Sequence, residues 1–373
     1  MEGLKKFLPG DIKELRILGR TEKDKNPLVL FWTGSGIELN FEGTELWCEF
    51  ESDYSCYEQW IAVYVNGALL SRQMLYKGRQ QVCLFRNLQM KKINHVKVVK
   101  EVQAMPGDPE AYLAIHALYG DGVFCELPEP ACRIEFIGDS ITSGEGSCGG
   151  TVEQDWVAMW FSASHGYPQL VSEELGAEYR VVSQSGYGVY CAYDNNLDHV
   201  IPLYYEQMCG VLEGERNRTL GVGDAYDFSE WQPDYVVINL GTNDGGAFHN
   251  PEWCDESTGR KNKMYNGANG LPAAECLKKV EEAVADFLKT VRKNNPRAYI
   301  LWAYGMMGTV VEPAIKAGIA AYCDTTGDKK VRYIALEEIQ GEEIGARFHP
   351  GIRGHKKTAE QLCRVISELR KEA

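Results

Sequence analysis

No apolar run in this chain reaches the roughly 20 residues that a membrane-spanning helix needs, so an integral helical membrane protein is not expected. Basic residues are in deficit: 39 Lys and Arg stand against 53 Asp and Glu, for a formal net charge of −14. An acidic chain repels phosphate, which argues against nucleic acid as a partner and favours a neutral substrate over a polyanion. Cysteine is present but unorganised. Its twelve residues are scattered through both halves with no CxxC pair, and Cys48 and Cys83 sit inside apolar alternation, where a thiol behaves as a small buried hydrophobe. Residues 1–9 lack the apolar core and small-residue cleavage site of a secretory signal, so a reducing, cytoplasmic setting is the expectation. Histidine is scarce too, seven in all, and no cluster has metal-ligand spacing; neither a metal nor another cofactor is expected.

What is there is ordinary in bulk, 44% hydrophobic and 25% charged, and 373 residues suffice for two cores. The first part of the chain alternates with period two. Ile37, Leu39 and Phe41 are followed by Leu46, Cys48 and Phe50, then by Ile61, Val63 and Val65 ending on Asn66-Gly67. Val96 and Val98, then Leu113, Ile115 and Ala117, continue the pattern. Alternation in short runs broken by Gly, Asn and Asp is the mark of half-buried antiparallel strands, and Asn-Gly is a hairpin turn. An N-terminal antiparallel β-sandwich, of jelly-roll type, is predicted for 1–130.

Past Pro128-Glu129-Pro130 the pattern changes. Segments 133–137, 235–240, 299–303 and 331–335 look like strands, the second nearly all apolar as a central parallel strand should be. Between them Leu277, Val280, Val284, Phe287, Leu288 and Val291 share one helical face, and Ala359, Leu362, Val365, Ile366 and Leu369 mark a C-terminal helix. Strand–helix alternation predicts an α/β domain with a parallel sheet over 131–373, its ligands at the carboxyl ends of the strands.

Four segments carry candidate chemistry. In Gly138-Asp139-Ser140 a serine follows a strand directly and could project its hydroxyl over the sheet edge, although a serine there could equally cap the next helix. Gly186, in the turn after 179–182, could present its N–H to an oxyanion or simply make a turn. Asn243, in Gly241-Thr242-Asn243-Asp244, could donate its amide to the same charge or form an Asx turn. His349, fixed by Pro350 ahead of the last helix, is a better candidate general base than His355, which falls in that helix's first turn. The remaining histidines (His95, His116, His165, His199, His249) have no comparable context.

Taken in order, the four segments resemble the blocks of the SGNH, or GDSL, hydrolases. That resemblance implies a flavodoxin-like parallel sheet and Ser140 as nucleophile. It also implies an oxyanion hole from the Ser140 and Gly186 N–H groups and the Asn243 side chain, with His349 as base. Segments 133–142, 32–36, 94–98 and 227–234, together with the leading β-sandwich, are similar to carbohydrate esterase family 2. This implies an acetyl esterase acting on acetylated mannan, xylan or their oligosaccharides. One position departs from the SGNH pattern: an aspartate usually lies three residues before the base, and here stands Ala346, with Glu342 and Glu343 the only nearby acids. A Ser-His dyad is therefore expected, its ring oriented by a backbone carbonyl as in some members of that family. Segment 245–270, with Trp253 and Tyr265, could form a sugar-stacking lip, as could Tyr187 and Tyr190 beside Gly186, or these could be packed surface aromatics. Two other functions remain open: a lipid or thioester hydrolase on the same scaffold, or a non-catalytic carbohydrate-binding protein.

Overall fold

A computed structural model describes residues 3–372 of the chain. The period-two segments pair as two antiparallel sheets. One contains Lys5–Phe7, Leu28–Val29, Leu46–Asp53, Gly78–Phe85 and Tyr112–Gly120; the other contains Arg16–Leu18, Gly36–Glu42, Gln59–Val65, Ala68–Leu75, Ile93–Lys100 and Val123–Cys125. Ile37, Leu39, Phe41, Cys48, Phe50, Val96, Val98 and Ile115 point into a common core between them. Asn66 and Gly67 turn the hairpin from Gln59–Val65 into Ala68–Leu75 with φ of 53° and 82°, as a two-residue turn of matching twist requires.

The second half is a five-stranded parallel sheet. Its strands in chain order are β1 (Cys132–Gly138), β2 (Ala177–Ser183), β3 (Tyr235–Asn239), β4 (Tyr299–Tyr304) and β5 (Val331–Ala335), and their spatial order is β2-β1-β3-β4-β5. This is the flavodoxin-like order, with the strand sequence reversing between β1 and β3. Alternate residues of each strand face opposite layers. Ile134, Phe136 and Val237 pack against α1 (Tyr167–Leu175) and the C-terminal helix, while Ile137, Val236 and Ile238 pack against α2 (Ala274–Asn294) and α3 (Glu312–Thr326). The C-terminal helix, α4, spans Ile352–Glu372. Among the described residues no helix is long and apolar enough to cross a membrane.

The two halves share side chains. Val29, Phe31, Trp32, Val102 and Met105 of the sandwich are buried in the same cluster as the α2 face of the parallel sheet. Arg20 is the polar counterpart: its guanidinium is wholly buried, 3.1 Å from Glu135 on β1, and it lies over the rings of Tyr226 at 4.3 Å and Phe228 at 4.9 Å. Tyr205 donates its hydroxyl to the other Glu135 oxygen at 2.6 Å. Removing one member of such a buried pair leaves a charge uncompensated. Arg20→Met should therefore cost about 3–5 kcal/mol in urea unfolding, and Arg20→Met combined with Glu135→Leu should recover most of that loss.

Candidate active site

β1 pairs in register with both neighbours, so Gly138 lies level with Ser183 of β2 and Asn239 of β3. The turns that follow these three residues open at one edge, beside the point where strand order reverses, which is where open α/β sheets bind ligands. Ser140 begins a single helical turn directly after β1. Asp139 caps that turn, its carboxylate accepting the Ile141 N–H at 3.0 Å. Full burial, reinforced by Asp244 and Glu145, pushes the Asp139 carboxyl up to about 8 against the pull of that N–H.

His349 arrives from the far end of the chain. Its Nε2 is 2.8 Å from the Ser140 Oγ, and its Nδ1 is 3.0 Å from the main-chain carbonyl of Arg347. A carbonyl only accepts, so Nδ1 carries the hydrogen and Nε2 is left to accept the serine proton. The turn that aims the carbonyl is strained: Arg347 (φ 54°, ψ 30°) and Phe348 (φ 59°) are both left-handed, at about 1–2 kcal/mol each. Hydrogen bonds hold it there. The Arg347 N–H donates to the Glu153 carbonyl at 2.8 Å, the Ala346 N–H to that of Gly146 at 3.0 Å, and the Gly345 N–H to that of His349 at 2.7 Å. The Arg347 guanidinium meets Glu145 at 2.9 Å and the Gln154 carbonyl at 3.0 Å. Glu342 and Glu343 are engaged elsewhere, on Arg353 and Lys357.

The segment after Ser140 must come close to this loop, and Gly146 permits it. A β-carbon there would stand 2.4 Å from the Ala346 oxygen and 2.7 Å from the His349 Cβ, on a backbone with φ of 77°. Gly146→Ala should therefore push His349 off the serine and lower kcat at least tenfold in a p-nitrophenyl acetate assay, with the fold intact by circular dichroism.

Ser140, Gly186 and Asn243 line one cleft. Among the described residues, the Ser140 and Gly186 N–H groups have no acceptor. Asn243 donates one amide hydrogen to the Tyr187 carbonyl at 2.8 Å, which fixes the side chain and leaves its second hydrogen free. Asp244 accepts the N–H groups of Val189, Tyr190 and Cys191 at 2.8–3.0 Å, and so clamps the loop that carries Gly186.

These residues line an open cleft of about 650 Å³, with walls formed by Trp156, Tyr187, Tyr193, His199, Glu213 and Arg347. Pro106 and Gly107 of the sandwich complete it. Tyr57, also from the sandwich, supports Trp156 edge-on at 4.8 Å, and Tyr187 stacks on His199 at 5.0 Å. Of the four aromatic residues picked out in the sequence, only Tyr187 lies on the cleft. Tyr190 is tied to Asn262, Trp253 carries Arg260 on its ring and Tyr265 bonds Glu275. Segment 245–270 is not a lip over the cleft. Asn195 ties it down, donating to the carbonyls of Ala247 and Pro251 and accepting the Met264 N–H. Trp156 and Tyr193 went unseen in the sequence, where the only signal for Trp156 was an aromatic in the irregular stretch following the Ser140 turn.

His355 lies beneath the site rather than in it. It is fully buried, stacks on Tyr167 and takes that residue's N–H on Nδ1 at 3.3 Å. Burial, aided by His349 and His165, pushes it down to about 3. The unfolded chain therefore binds a proton near pH 6.5 that the folded chain refuses. Stability should fall by about 1.4 kcal/mol per pH unit as pH drops below 6.5 towards 3. His355→Gln should abolish that component of the slope in unfolding measured across this range.

The chain belongs to the GDSL-like lipase/acylhydrolase family, whose model matches residues 136–357. It is similar over 99% of both chains to an acetyl xylan esterase from the rumen bacterium Butyrivibrio proteoclasticus, with 39% identity and a TM-score of 0.97. A family two carbohydrate esterase from Clostridium thermocellum, solved with cellohexaose, shares 26% identity over 96% of this chain and 99% of that one, with a TM-score of 0.78. The cellulase/esterase CelE of Acetivibrio thermocellus is 28% identical over 349 residues; the match takes in 92% of this chain and spans 38% of CelE.

Proposed function

We propose that the protein removes O-acetyl groups from polysaccharides or oligosaccharides of the mannan or xylan type, through an acetyl-enzyme on Ser140. The observation that carries this reading is the chain of contacts from the Ser140 Oγ to His349 Nε2 at 2.8 Å and from Nδ1 to the Arg347 carbonyl at 3.0 Å. The Ser140 Oγ attacks the acetyl carbonyl while its proton passes to His349. The tetrahedral oxygen is met by the N–H groups of Ser140 and Gly186 and by the Asn243 amide. The C–O bond to the sugar breaks as His349 returns the proton to the departing sugar oxygen. Water, deprotonated by His349, then attacks the acetyl-enzyme; the ester bond to Ser140 breaks, the serine recovers its proton and acetate leaves. Because a carbonyl rather than a carboxylate orients the ring, the site works as a dyad.

The substrate class rests on the names of similar proteins and on the cleft. An acetyl xylan esterase and a family two esterase bound to cellohexaose share the fold across nearly the whole chain. Trp156 and Tyr193 offer aromatic surface beside polar groups, which suits a sugar ring better than an acyl chain. A reducing, cytoplasmic setting is part of the same reading, supported by twelve cysteines that form no disulfide among the described residues.

Acetate release from acetylated mannan and xylan tests the proposal, alongside p-nitrophenyl esters of increasing acyl length. Activity is expected to fall beyond acetyl; a rise with chain length would overturn the acetyl-sugar assignment. Ser140→Ala and His349→Ala should each remove at least 10³-fold of kcat. Asn243→Ala should cost about 10²–10³ in kcat as a lost oxyanion donor. Glu342→Gln and Glu343→Gln should leave activity near wild type.

A further inference from the structure

Resting on the Ser140–His349 reading, we infer that Glu145 and Arg347 form a charge-balanced positioning pair serving His349 in place of the absent triad carboxylate. The Arg347 carbonyl fixes the ring, and the Glu145 carboxylate steadies the imidazolium from the opposite side.

Glu145 is buried, with a side chain only 3% exposed, and one of its oxygens lies both 2.9 Å from Arg347 Nε and 3.9 Å from His349 Nε2. Its main-chain N–H donates to the Ser140 carbonyl at 3.0 Å, so the carboxylate rides on the same turn as the nucleophile. When His349 takes the serine proton, positive charge forms at the nitrogen nearest Glu145. A carboxylate at that distance favours the imidazolium, and the Arg347 guanidinium offsets it before reaction. Arg347 also acts through its backbone. Its side chain reaches Glu145 and Gln154 while its own carbonyl holds Nδ1, so the ion pair locks the strained peptide that orients the base.

The other ionisable groups around His349 leave this balance to the pair. His355, on α4, is uncharged near neutrality because burial holds it down at about 3. Asp139, next to Ser140 in the chain, is fully buried with its carboxyl pushed up to about 8, and His199 and Glu213 line the same cleft. Glu153 and Gln154 meet the His349 loop through their carbonyl oxygens.

The test compares Glu145→Gln, Arg347→Met, Arg347→Lys and the Glu145→Gln/Arg347→Met double variant with wild type. It reads kcat, KM and the pH profile of kcat/KM on p-nitrophenyl acetate, with thermal melts to certify folding. Arg347→Met leaves the carboxylate unbalanced and should move the acid limb up by about one pH unit, while Glu145→Gln should move it down by about the same. The double variant should return near the wild-type limb, and Arg347→Lys should leave it unmoved. Each single neutral variant should lose about tenfold in kcat with KM within twofold. Limbs that stay fixed, or move in the same direction in both single variants, overturn the pair. So does a loss confined to KM, which would make these residues substrate contacts. If a single variant does not fold, the double variant and Arg347→Lys decide: a limb shifted in either overturns the pair. Ser140→Ala and His349→Ala run in parallel; activity retained there rejects the dyad itself, whereas inactive dyad variants with unmoved limbs reject only Glu145 and Arg347.

Discussion

In-register pairing of β1 with β2 and β3 is the constraint from which the site follows. Parallel strands joined through helices all begin at one edge and end at the other. When their last residues are level, as Gly138, Ser183 and Asn239 are, three turns open side by side. Ser140, Gly186 and Asn243 occupy those turns, and none of them needs a long reach or a special loop to converge. A slip of one residue in either pairing would send the strand's buried side chains to the wrong layer and separate the donors from the serine. The hydrophobic alternation that secures the core thus also secures the chemistry.

The β-sandwich belongs to this arrangement. It supplies Pro106 and Gly107 to the cleft and props Trp156 from behind with Tyr57. The buried Arg20–Glu135 contact joins it to β1 itself, the strand that leads into Ser140. Asp108 accepts the N–H groups of Ser55, Cys56 and Tyr57, so two sandwich loops at the rim move as one unit. The wall of the cleft is therefore as firmly built as its floor.

The sequence made the two architectures legible because their periods differ: alternation at Ile37, Leu39 and Phe41, and helical spacing at Val280, Val284, Phe287 and Val291. The convergence of Ser140 with His349 was legible through the order of the blocks, since the two residues lie 209 positions apart and no local pattern connects them. The aromatic wall of the cleft was not. Trp253 and Tyr265 sit in a long polar segment that leaves the Asn243 turn, which favoured them on sequence position, yet Asn195 draws that segment away through side-chain bonds that no local periodicity encodes. The Glu145–Arg347 contact was hidden for the same reason, joining residues 202 positions apart.

The left-handed turn at Arg347 and Phe348 has a consequence for how His349 is held. A free chain would seldom dwell in two consecutive left-handed residues, and the bonds that hold them come from residues 145–154, just beyond Ser140. The orientation of His349 is therefore set by the segment that follows Ser140. Those bonds are what hold the Arg347 carbonyl against His349 Nδ1.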